Sequence, residues 1–179
     1  MTDHAVGIEA SLPLRRGIVP RLIDGLTDLG AMLAGLGILV LMTLTSWNVA
    51  QRLLQGRGVA GTVELSEVAL AGIAFLAIPY AVKGAHHVST SVLADRLPAL
   101  LARILLVLGG LVALGIVVWG TWVAWPQAMS SMESGEARMG LTRIAVWPGR
   151  MAVAVGLTLT VAQLILSICE VARGIRDEL

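Results

Sequence analysis

The chain has 179 residues, 56% of them hydrophobic and 14% charged, with a net charge of +1. That composition leaves room for several membrane spans and short loops, but not for a separate soluble catalytic domain. The near-neutral charge argues against a nucleic-acid surface, and a single cysteine, Cys169, excludes an intrachain disulfide or a cysteine-based metal site.

Residues 29–51, 104–132 and 151–169 contain no Lys, Arg, Asp, Glu or His, and 68–82 is a shorter fourth stretch of the same kind. A helix needs roughly 20 apolar residues to cross the hydrocarbon core, so the first three are long enough outright. The fourth reaches that length with Glu64 and Glu67 at its entrance. Arg15 and Arg16 before the first run imitate a signal peptide, but the run is too long and no small-x-small cleavage site follows it. The expected fold is an all-α integral membrane protein with four transmembrane helices and short interfacial helices. It forms one domain over residues 1–179, with a cytoplasmic arm at 1–19 and spans at about 20–51, 64–83, 98–125 and 147–170.

In the first span Pro20 suits the opening helical turn, where its missing N–H is not needed. Small residues recur four apart, Gly30 with Ala34 and Ala31 with Gly35, and Ala152 with Gly156 repeats the pattern in the fourth span. Such spacing lets helix backbones approach closely in lipid. Two amphipathic segments, Gly17–Asp28 and Ser89–Leu97, are expected to lie at the cytoplasmic surface. The second span holds Pro79 near its inner end. In the third, Pro98 stands as far from Trp125 as Pro20 does from Trp47, which reads as similar span architecture rather than duplication. The segment 126–145 mixes three methionines with Glu133, Glu136, Arg138 and Arg143, as in a polar loop or a segment touching a partner.

Eight of the thirteen Lys and Arg residues fall in residues 1–21, the connection 83–103 and the tail. Excess positive charge stays cytoplasmic, which places both termini inside. This threading puts Trp47, Trp119, Trp122, Trp125 and Trp147 near the outer surface, in the headgroup layer that indole rings prefer.

No ionisable residue lies near the centre of a span, whereas a self-sufficient pump or ion-coupled carrier usually buries such groups there. Glu67, about one turn into the second span, has two readings. It is an ion or substrate ligand, or a carboxylate favoured at a helix N-terminus and paired with Arg52 or Arg57. His86 and His87 point about 100° apart on a helix, so they do not ligate one ion on a regular backbone. No span carries a second histidine for a bis-histidine haem. Triads, facing carboxylate pairs and phosphate-cradling loops are absent, so no catalytic residue is assigned and no enzyme activity is expected.

Residues 48–98 are more specific. Asn48 and Arg52 close the first span, and Gly61-Thr62-Val63-Glu64-Leu65-Ser66-Glu67 opens the second. Gly84, His87-Val88 and Leu97-Pro98 follow, and Ala145-Val146-Trp147-Pro148 precedes the last span. This series resembles the small membrane subunit, DctQ-like, of tripartite ATP-independent periplasmic (TRAP) transporters. That family has an Arg after span one, a Glu-Leu opening span two, a Gly-x-His-Val/Ile-x-Val-Asp signature, a Leu-Pro and an aromatic-proline step. Ser91 stands where the family often has Asp, and His86 adds a residue between Gly84 and His87. The resemblance implies a scaffold in the bacterial inner membrane, partnered by a large membrane subunit and a periplasmic solute-binding protein. Together these take up organic acids on a sodium gradient. It implies no cofactor on this chain, with sodium bound by the partner, and it marks Arg52, Glu64, Glu67, His87 and Trp147 as a structural clamp or partner interface. A respiratory-complex membrane anchor and a small multidrug-type exporter are the alternatives. The exporter normally needs a Glu inside span one, and 29–51 has none.

Overall fold

The computed structural model of the protein describes residues 17–94, 99–138 and 143–176. Four helices carry the fold: α1 (Ile18–Gln55), α2 (Thr62–Ala94), α3 (Ala99–Ser134) and α4 (Trp147–Arg176). Between α3 and α4, β1 (Ala137–Arg138) pairs antiparallel with β2 (Ile144–Ala145). Each helix contains a stretch long and apolar enough to cross a membrane: Ile18–Gln55, Thr62–Gly84, Val107–Ser134 and Trp147–Glu170. The protein is an all-α membrane protein.

The helices outrun the charge-free segments, and left-handed glycines close two of them. Gly56 adopts a left-handed conformation (φ 69°) and returns its N–H to the Arg52 carbonyl at 3.1 Å, closing α1. Gly135 (φ 60°) ends α3, and the Glu136 N–H reaches back to the Ser131 carbonyl at 3.2 Å. The segments expected as separate interfacial helices are continuous with longer ones: Ile18–Asp28 is the start of α1, and 89–94 the end of α2. Leu97 lies outside the described residues. Pro126 does not stop α3 either, so 126–134, read from sequence as loop, is helix.

Contacts fix the helix directions. Asp28 meets Lys83, Gly37 meets Ile73 and Asn48 meets Val59, so α1 and α2 are antiparallel. Gly149 lies on Val68, Gly72 on Ala152 and Gly156 on Phe75, so α2 and α4 run parallel. Gly120 touches Leu157 and Gly110 touches Ile168, so α3 and α4 are antiparallel. Helix α4 packs extensively on α2 and α3 and also meets α1, whereas α3 meets α2 only marginally.

Glycine sets the spacing of the α2–α4 pair. A Cβ on Gly149 would stand 2.7 Å from the Val68 carbonyl oxygen, and one on Gly72 would stand 2.9 Å from the Ala152 Cβ. A Cβ on Gly156 would overlap the Phe75 carbonyl oxygen. That carbonyl is special, because the residue four further on is Pro79, which has no N–H to donate to it. Pro79 is fully buried, and the Cα face of Gly156 covers the freed oxygen, an arrangement suited to a weak Cα–H···O contact.

Little else is enclosed. Among the described residues the buried apolar ones are Ala34, Ala128 and Ala154, and the largest fully buried side chains are Thr27, Pro79 and Ser131. The bulky aliphatic side chains mostly face outward, as suits a solvent of lipid tails. Five hydroxyls within the helices satisfy themselves: Thr43, Ser66, Thr121, Thr158 and Thr160 each donate to the carbonyl four residues back at 2.7–2.9 Å, whereas the buried Ser131 Oγ has no partner among the described residues.

The tryptophans do not form one outer ring. Trp47 and Trp147 lie near the helix ends at the α1–α2 loop. Trp125 instead donates its indole N–H to Thr158 Oγ1 at 3.1 Å, eleven residues into α4 from Trp147, a rise of roughly 16 Å. The reason is the continuation of α3 through Pro126, which draws Trp119, Trp122 and Trp125 down into the span.

The glycine contacts predict a graded response. Gly156→Val should destabilise the purified protein by about 3 kcal/mol or more, since a backbone oxygen cannot move aside as a side chain can. Gly115→Ala, where an added Cβ meets nothing within 4 Å, should change stability by less than about 0.5 kcal/mol. Thermal unfolding of the two variants in one detergent makes the comparison.

Candidate functional site

In a lipid environment each polar side chain must find a partner, so the polar groups locate the positions under constraint. Here most interhelical polar contacts gather toward the two ends of the bundle, with Trp125–Thr158 between them.

At the end opposite the α1–α2 loop, Gln163 of α4 is buried. Its Nε2 donates to Thr27 Oγ1 at 2.8 Å and to Asp24 Oδ1 at 3.2 Å, both on α1. Thr27 is fully enclosed by this contact. Beside it, Lys83 Nζ of α2 sits 2.6 Å from Asp28 Oδ1 of α1, an ion pair whose side chains remain 31% and 50% exposed. The pair lines an open groove of about 660 Å³ with Tyr80 and Met32. Exposed pairs of this kind contribute about 0–1 kcal/mol each, so Gln163 is the stronger tie.

At the loop end, Asn48 Oδ1 accepts the Val59 N–H at 2.6 Å and pins the α1–α2 connection back on α1. Gly58 lies flat on the same amide, where a Cβ would stand 2.9 Å from Asn48 Oδ1. Thr62 Oγ1 donates to the Val59 carbonyl at 2.9 Å as α2 begins. Across the molecule, Arg150 grips Glu136 with both guanidinium nitrogens, at 2.7 and 3.0 Å. The Val146 N–H bonds the Glu136 carbonyl at 3.1 Å, so β1 and β2 are fastened to the start of α4.

The residues marked from sequence divide between these ends. Arg52 stands in the last turn of α1 and is exposed. Glu64 is in the first turn of α2, with Glu67 one turn on, and neither residue is without a partner. Trp147 opens α4 at the same end. His87 falls in the far part of α2, away from the other four, and its side chain lies outside the described residues. Among the described residues, no three His, Cys, Asp or Glu come together to hold a metal ion. The Gln163–Asp24–Thr27 contact, the Asp28–Lys83 pair and the Glu136–Arg150 grip were not singled out from sequence. Gln163 had a signal: it is the one amide side chain in the charge-free stretch 151–169.

Four spanning helices, tied by polar contacts and packed on glycine, define an integral membrane component. The sequence model of the family described as tripartite ATP-independent periplasmic transporters, DctQ component, matches residues 19–174. The chain belongs to that family, and is a small membrane subunit of a TRAP transporter. A comparison with curated proteins gave no match. Family membership makes the chain a component of a transport system.

The Gln163 contact yields a test. Gln163→Leu should destabilise the protein by about 0.5–2 kcal/mol, the range of interhelical hydrogen bonds in membranes. Combined with Thr27→Val, the loss should fall short of the sum of the two single effects. Strict additivity in thermal unfolding would mean that the bond contributes nothing.

Proposed function

We propose that this subunit is a static scaffold for sodium-driven uptake of organic acids. The large membrane subunit carries substrate and sodium across, and a periplasmic binding protein delivers the substrate. The observation that supports this most directly is where the polar groups lie. The charged ones pair toward the bundle ends, and no ionisable side chain stands mid-span to bind and release an ion. Reconstituted alone in liposomes, the chain should show no sodium-dependent uptake above empty vesicles, whereas the three-component system should accumulate substrate. Uptake by the chain alone overturns the scaffold reading.

Within that role, Arg52, Glu64 and Glu67 act as an electrostatic clamp at the junction of α1 and α2, close to Trp147, supported by the dipole at the α2 N-terminus. His87 belongs to the partner-facing part of the opposite end. In the same reconstitution, Glu67→Gln and Arg52→Gln should each lower the yield of assembled complex. The double variant should show coupling of about 0.5–3 kcal/mol, with relative uptake of two substrates unchanged. A Glu67 variant that assembles normally but changes sodium dependence would make Glu67 a ligand instead.

Both termini are cytoplasmic in this proposal, in line with the Lys and Arg bias. An impermeant thiol reagent added to spheroplasts should then label Ser134→Cys, and should spare a cysteine at position 2 or 178, each in a Cys169→Ser background. Labelling at either terminal position from outside would invert the topology.

A further inference from the structure

Trp119 and Trp122 are 72% and 79% exposed, on the face of α3 turned away from α4. Their depth makes this unusual. Trp125 bonds Thr158, near the middle of the charge-free segment of α4 that runs from Arg150 to Glu170. Gly120 packs on Leu157, so the backbones of Trp119 and Trp122 stand level with that same middle part of α4. Helical side chains lean toward the N-terminus, which on α3 carries both indoles further inward. Indole rings favour the headgroup layer, yet these two stand within the hydrocarbon.

Each indole brings one N–H donor, and lipid tails offer no acceptor. Trp125 meets this need inside the chain through Thr158; among the described residues neither Trp119 nor Trp122 has an acceptor. A second polar group opens on the same face. Pro126 has no N–H to give the carbonyl of Trp122, four residues before it. Trp122, Trp125 and Pro126 wall a groove of about 440 Å³ that Thr158 and Val161 of α4 complete. Below the indoles Gly115 leaves the helix surface open, so that Gly115, Trp119, Trp122 and Pro126 follow one another along one face.

From this geometry we infer that the Trp119–Trp122 face of α3 docks a transmembrane helix of the large membrane subunit, one bearing hydroxyl or amide side chains that accept from the indoles and donate to the Trp122 carbonyl. The inference rests on the scaffold assignment above and names the face it uses. An aliphatic chain fills such a groove but leaves the donors and the carbonyl without partners. A polar-edged protein helix satisfies both.

The test uses the complex assembled from full-length subunits, with a photoreactive benzoylphenylalanine at 119 or 122 and at Met32 on α1 as a control. Irradiation of membranes should join positions 119 and 122 to the large subunit, with little product from Met32. Trp122→Phe keeps the ring and removes the N–H. It should lower retention of the large subunit about three- to tenfold, the size of one interhelical hydrogen bond in lipid, while leaving the thermal stability of the isolated chain unchanged. Trp125→Phe, whose bond is internal, should instead lower that stability. Cross-linking at 119 and 122 to lipid alone or to a second copy of this chain overturns the proposal, as does undiminished retention by Trp122→Phe. If the large subunit still co-purifies in those cases, the docking face is wrong and the scaffold role stands. If it never co-purifies with the wild-type chain, the scaffold role itself fails.

Discussion

The parallel contact of α2 with α4 is the constraint on which the rest of the fold depends. Lipid tails are as apolar as leucine, so two helices gain little from burying aliphatic surface against each other. They gain from backbone proximity, and Gly72, Gly149 and Gly156 supply it along one seam. Pro79 sharpens the contact by freeing the Phe75 carbonyl at the point where Gly156 allows closest approach. A proline that costs one helical bond thus becomes half of an interhelical fit. With that pair fixed, α1 is located by Gly30 against the Leu76 carbonyl, and α3 by Gly110 against Ile168.

The polar contacts complement this seam by acting where it ends. Gln163 joins α4 to α1 at one end, and the Asn48 and Arg150 contacts fasten the connections at the other. A scaffold gains from this division of labour. Rigid middle sections hold a constant surface toward a neighbour, while the ends, close to water, carry the exchangeable charged contacts. The self-bonded hydroxyls extend the same logic, since Thr121 and Thr160 add polar atoms to the interior without asking a neighbouring helix for a partner.

Much of the architecture was legible in the sequence because charge-free length is a direct physical requirement of crossing a bilayer. The four spans and the Gly30–Ala34 and Ala152–Gly156 pairs followed from that and from small-residue spacing, whereas Gly35 stands open in this chain. The helix ends were less legible. The third span was expected to end at about 125, but the helix runs on through Pro126 at the cost of one hydrogen bond, and the left-handed Gly135 is the true end. That displacement misplaced the α3 tryptophans, whose depth depends on how α3 registers against α4. The polar ties escaped notice because each joins residues far apart in sequence, 139 positions in the case of Gln163 and Asp24. Of the candidate site, the grouping of Arg52, Glu64, Glu67 and Trp147 at one end followed from threading alone, whereas Asn48, which holds that corner, was visible only as part of a family motif.

The central position of α4 has a consequence for how the protein is made. Helix α4 is the last of the four to leave the ribosome, yet it contacts all three others, and α3 has little else to pack on. The α1–α2 hairpin can settle as soon as it is released, through Gly30, Gly37 and the Asp28–Lys83 pair. Helix α3 must then wait in the bilayer beside it, with its α4-facing surface bare, until the final span arrives. During that interval the glycines of α2 and the acceptorless indoles of α3 are open to any passing helix. Final packing of these four helices therefore waits for insertion of α4, and until then α3 is open to a partner already in the membrane.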